Sequence, residues 1–111
     1  MIRLITRGSF TQSSVAGQLK MPEDREIAVR KLVEASGAKL VGFYITTGDS
    51  DFMIIAEAPD AESIVAGTMA AAAAGGITNF ITTRAWTGAE FKAVQEKASK
   101  IAGAYRAPGQ K

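Results

Sequence analysis

Residues 40 to 60, Leu-Val-Gly-Phe-Tyr-Ile-Thr-Thr-Gly-Asp-Ser-Asp-Phe-Met-Ile-Ile-Ala-Glu-Ala-Pro-Asp, constrain this chain more than any other stretch. Two runs rich in β-branched and aromatic residues flank a short polar turn, Gly48-Asp49-Ser50, which is the composition of a β-hairpin. Pro59 then interrupts the second run, and Asp60 offers a carboxylate to cap a following helix. The stretch specifies an architecture rather than an activity.

Reading outward from the hairpin, Ile2 to Phe10 alternates as a strand, with Ile2 and Leu4 on one face and Arg3, Ile5 and Arg7 on the other. Thr11 is placed to cap the helix after it. From Gln12 to Ser36 the period is helical, with Val15, Leu19, Ala28, Leu32 and Ala35 on one stripe, but Met21-Pro22 breaks it. The spacing predicts a short helix and then a longer one starting near Pro22, whose acidic first turn suits a helix N-terminus and which Gly37 ends. Lys39 to Thr47 and Asp51 to Ala58 are the hairpin strands. An Ala-rich helix runs from Asp60 to the Gly75-Gly76 stop, and Ile77 to Trp86 reads as a fourth strand. Thr87 and Glu90 stand at capping-box spacing. Phe91, Val94, Ala98 and Ile101 form an apolar stripe, which predicts that the last helix docks through Phe91 and Val94. Residues 1–102 are expected to form the domain, and 103–111, which lack periodicity, a flexible tail.

The order β-α-β-β-α-β with a terminal helix is the ferredoxin-like, α+β arrangement built on an antiparallel sheet. Here the chain resembles the GYD-domain family of small bacterial proteins. The resemblance rests on Thr11, Pro22 to Arg25, Gly37, Phe43-Tyr44, the turn Gly48 to Asp51, Ala58-Pro59-Asp60, the Ala-rich helix with its Gly stop, Arg84-Ala85 and Glu90-Phe91. Where that family usually has Tyr before the Asp of its turn, this chain has Ser50. The resemblance implies a dimeric α/β barrel, in which two protomers pack sheet against sheet, and it supplies no reaction.

The residues point to the same assembly. Alternation places Ile2, Leu4, Val41, Phe43, Ile45, Phe52, Ile54, Ile77 and Ile81 on the face that helices would cover. The opposite face would carry Ile5, Tyr44, Met53, Ile55, Phe80 and Trp86, interleaved with Arg3, Arg7, Asp51, Glu57, Thr78, Thr82 and Arg84. That mixture exposes more apolar area than a monomer tolerates, so a homo-oligomer, at least a dimer, is expected.

The candidate ligand-binding residues lie on that face. Arg3, Arg7 and Arg84 are planar donors suited to a carboxylate or phosphate, Tyr44 supplies a hydroxyl, and Glu57 is a carboxylate at a strand centre. Three readings compete: Arg–Glu pairs that lock the sheet or dimer, a pocket for a small anionic metabolite between protomers, and catalysis. The first two make an oligomeric module. The third would be cofactor-free proton transfer or lyase-type chemistry through Glu57, Tyr44 and the arginines. Composition narrows the field, because the chain has no His and no Cys, which removes the commonest general base and the thiol nucleophile. Asp49 and Asp51, with no His and no third nearby acid, read as turn formers rather than metal ligands, so no metal and no cofactor is expected. Thirteen Lys and Arg against eleven Asp and Glu leave +2 with interspersed signs, so no nucleic-acid partner is expected. The uncharged run at 64–77 is too short and too rich in Ala and Gly to span a membrane, and charges break the N-terminal apolar run where a secretory signal would lie. With no Cys, a reducing cytoplasm is the expected compartment.

Overall fold

The computed structural model describes residues 1–110. Its elements are β1 (Ile2–Phe10), α1 (Gln12–Lys20), α2 (Glu26–Ala35), β2 (Lys39–Ile45), β3 (Phe52–Ala58), α3 (Ala61–Ala73), β4 (Ile77–Ala85) and α4 (Gly88–Ile101), followed by a 3₁₀ turn at Ala102–Ala104. The strands form one open antiparallel sheet in the order β2-β3-β1-β4, the order of the ferredoxin-like fold. The element ends follow local chemistry. The Thr11 hydroxyl accepts from the Ser14 amide at 3.1 Å, and the Asp60 carboxylate accepts from Ser63 at 2.8 Å. Gly37 and Gly75 leave their helices at φ of 88° and 83°, a region that side chains disfavour. α2 begins at Glu26, four residues later than the Pro22 signal predicts. The Asp24 carboxylate takes the Glu26 amide at 3.0 Å, and this local bond holds residues 22–25 out of the helix.

Two β-bulges decide which face each side chain takes. In β2, Leu40 lies opposite Ala56 and Gly42 opposite Ile55, so Val41 is an extra residue. Leu40 and Phe43 can therefore both point at the helices, whereas Val41, expected in the core, is exposed. In β4, Thr78 faces Ser9 and Ile81 faces Arg7, with Asn79 at a left-handed φ of 49° between them. The inserted residue shifts the alternation by one, so every side chain after it takes the face opposite to that expected. Ile81 joins Arg7 on the open face, while Thr82 and Arg84 pair with Thr6 and Leu4 on the helix side, and Trp86 follows them by alternation. Gly8 sits opposite the bulge because nothing larger fits: a Cβ there would lie 2.8 Å from Cζ of Phe52 and 3.1 Å from Cα of Phe80.

The buried core is small and one-sided. Leu4, Leu40, Ala56 and Ala58 meet Val33 of α2 and Ile64 of α3 at one end of the sheet. α1 buries no residue, and neither does α4. The expected docking of α4 does not occur within the chain: Phe91 and Val94 are each 40% exposed and Ile101 64%. α4 instead projects from the end of β4 with its apolar stripe uncovered. The molecule is 65 Å long with a radius of gyration of 18.2 Å, against about 13 Å for a compact chain of this length. Its accessible surface is 7913 Å², where a compact monomer of this mass would expose roughly 5,900 Å².

Candidate functional site

The open sheet face is built of three rungs, because directly paired residues share a face. The first rung is Ala85, Arg3, Glu57 and Lys39; the second is Thr83, Ile5, Ile55 and Gly42; the third is Ile81, Arg7, Met53 and Tyr44. Arg3 is engaged from two sides. One guanidinium nitrogen stands 3.6 Å from Glu57 Oε1, and the other donates to Glu90 Oε1 at 3.1 Å. The same Glu90 oxygen accepts the Thr87 amide at 2.7 Å, completing the capping box of α4. The Thr87 amide foremost, with the Thr87 side chain and the Arg3 guanidinium adding to it, holds Glu90 below the usual carboxylate range.

Arg7 is four residues from Arg3 along an extended strand, about 13 Å, with the apolar Ile5–Ile55 rung between them. The two guanidinium groups therefore do not converge on one small anion. Arg7 is exposed and makes no ion pair among the described residues. It lines a hollow of about 310 Å³ with Thr46, Thr47, Asp49, Ser50 and Thr83. Tyr44 shares its rung, and the Tyr44 ring lies across Gly42, where an added Cβ would come within 3.2 Å of it. Arg84 is absent from this face. It lies on the helix side of edge strand β4 and stacks on Trp86, 4.8 Å from the ring centroid. Of the five candidate residues, Arg3 and Glu57 are thus in contact, Arg7 and Tyr44 share a rung at the other end, and Arg84 is separated from all four by the bulge.

The turn residues serve the fold. Gly48 takes a φ of 94°. The Asp51 carboxylate accepts the Phe10 amide at 2.9 Å, and the Asp51 amide donates to the Gly8 carbonyl at 2.7 Å, fastening the hairpin to the end of β1. Ser50 contributes its carbonyl, which accepts from Thr46 Oγ1 at 2.6 Å. Among the described residues no three acidic side chains are grouped to hold a metal, and no helix is long and apolar enough to cross a membrane.

The sequence pattern does not single out a second concavity, on the other face. A cavity of about 710 Å³ lies between the sheet and the three helices α1, α2 and α3. Phe10, Phe43 and Ile54 form its floor, and Gly17, Ala28 and Ala71 line its walls. The signal is present as small residues at positions where a covering helix would ordinarily project Leu or Phe, but it reads equally as close packing.

A family model for the GYD domain matches residues 4–94, most of the chain, and the chain belongs to the GYD-domain family. Comparison with curated proteins and with solved structures gave no match.

Proposed function

We propose that this GYD-domain chain works as a homo-oligomeric module, built from dimers that pack open sheet face on open sheet face into an α/β barrel. The observation that carries this reading is the surplus of roughly 2,000 Å² of surface over a compact monomer, which exceeds the roughly 800 Å² that each partner buries in a standard interface. Two apolar surfaces support this reading. Ile5, Ile55, Met53 and Ile81 form an apolar strip across the open face, and the exposed stripe of α4 adds a second apolar surface. Buried in such a barrel, Arg3 would act as a lock between Glu57 and Glu90, the two carboxylates carrying one charge more than its guanidinium offsets.

A small anionic metabolite would be held between protomers at Arg7, with the Thr47 and Thr83 hydroxyls as neutral donors and Asp49 on the same rim opposing highly charged ligands. Cofactor-free catalysis would need Glu57 free to take a proton. The proximity of Arg3 at 3.6 Å favours the module over the enzyme.

Size-exclusion chromatography with light scattering at micromolar concentration tests the assembly. A mass of at least twice that of the chain is expected, and a well-folded monomer would sink the reading. Acetate and phosphate should raise the melting temperature of the native protein and not of Arg7→Gln; equal shifts in both would remove the anion from the proposal.

A further inference from the structure

We infer that the cavity between the helices and the sheet is a binding site for an uncharged, largely apolar small molecule. A cleft of about 710 Å³, half open to solvent, lies between the helices and the sheet. That volume lies within the roughly 300–1,000 Å³ of small-molecule sites. Phe43, Ile54 and Leu32, central in the layer between helices and sheet, are only half-buried because the cavity opens onto them. The chain keeps the space open with small residues on two separate walls. On α1, a Cβ added at Gly17 would meet nothing within 4 Å. On α3, Ala71 and Thr68 line it with short side chains.

The chemistry of the occupant follows from what the walls no longer need. Thr6 Oγ1 is bonded to Thr82 Oγ1 at 3.0 Å, Thr68 Oγ1 donates to the Ile64 carbonyl at 2.8 Å, and Ser36 Oγ donates to the Val33 carbonyl at 2.6 Å. No buried side-chain nitrogen or oxygen among the described residues lacks a partner. An ionic ligand would shed its hydration for a wall with no counter-charge to offer, which is costly. The charged residues of the lining, Lys20, Glu23 and Arg25, are solvent-exposed, and the last two pair with each other. Gln18, on α1, donates to Ser14 Oγ at 3.2 Å and is the wall group best placed to exchange a bond within the protein for one to a hydroxyl or carbonyl of the ligand.

All walls come from one chain, so the inference stands whether or not the sheet-to-sheet dimer does.

The test uses the neutral fluorophore N-phenyl-1-naphthylamine, titrated into the full chain and into three variants. Gly17→Leu and Ala71→Leu fill the cavity from opposite walls, so a folding defect in one leaves the other to decide. Met53→Ser removes apolar surface from the open face instead. Saturable binding at one probe per chain is expected, with at least tenfold weaker affinity in either filled variant, unchanged affinity in Met53→Ser, and a probe-induced rise in melting temperature that the filled variants lose. Absence of saturable binding, or binding that survives both fillings, would overturn the inference. Loss in Met53→Ser alone would move the site to the open face.

Discussion

Helices α3 and α4 are closed at their N-termini by the same device, a side-chain oxygen accepting from the N3 amide: Asp60 from Ser63 at 2.8 Å, Thr87 from Glu90 at 3.1 Å. Their lengths are also alike, 13 and 14 residues. Yet α3 buries Ile64 and Thr68 against the sheet, while α4 buries nothing and projects from the body. Caps are local and make a helix wherever the chain goes. Docking depends on where the chain then leads, and α3 reaches the sheet beside α2 while α4 leaves from edge strand β4 and turns onto neither face. The stripe of α4 therefore stays exposed within the chain, whereas the apolar side of α3 is part of the fold.

The sharpest way to break this contrast is to remove one apolar side chain from each helix. Ile64→Ala should cost about 3 kcal/mol of unfolding free energy at every protein concentration, since it deletes buried volume from the chain's own core. Phe91→Ala should cost less than about 1 kcal/mol in the isolated chain, because its intrachain partner is the edge of Trp86, with centroids 5.7 Å apart. If the proposed dimer forms, its effect should appear there as a higher dissociation constant. Denaturant titrations at two concentrations check both: a concentration-independent loss of about 3 kcal/mol for Phe91→Ala would mean that α4 docks on its own chain.

The contrast between packed and hollow parts can be sharpened with two glycines. Gly8→Ala should destabilise by about 2 kcal/mol, since its Cβ would press on the Phe52 ring and on the Phe80 backbone, and backbone yields little. Gly17→Ala, in a helix beside open space, should stabilise by about 0.5–1 kcal/mol. Thermal unfolding of the two variants reads the difference, and a stabilising Gly8→Ala would show that the β4 bulge relaxes around it.

How much of the molecule is legible in its sequence divides along the same line between local and non-local causes. Caps, glycine stops and the hairpin depend on residues a few positions apart, and Thr11, Asp60, Gly75 and the Thr87–Glu90 box are where their chemistry puts them. Strand alternation is legible through β1 and β3, so Arg3, Arg7 and Glu57 fall on the expected face. It fails in β4 because one Asn in a left-handed conformation is unremarkable in sequence, yet it turns over every later side chain. Arg84, Ile81 and Trp86 change faces for that reason alone. The cavity is hidden for a different one, since Ala and Gly on a helix fit both intimate packing and empty space, and only the positions of α1 and the sheet distinguish the two.

The smallest expected effect concerns how α4 begins. Thr87→Ala removes the oxygen that accepts the Glu90 amide and should cost about 1 kcal/mol, felt in α4 and hardly in α3. The pH dependence has a definite sign. Folding depresses the pKa of Glu90, so its contribution is fully present above the ordinary glutamate value near 4.3 and is lost as pH falls through that value toward the folded one. Asp60, lowered chiefly by the Ser63 hydroxyl and then by the Ser63 amide, behaves in the same direction for α3. Because α4 has no burial to hold it, the hydrogen-exchange protection factors of its amides from Glu90 onward should fall below about pH 4, while those of the α3 amides from Ser63 to Thr68 are kept by the core. An equal fall in the two helices would mean that their caps, and not their packing, set their stability, and the contrast between them would fall.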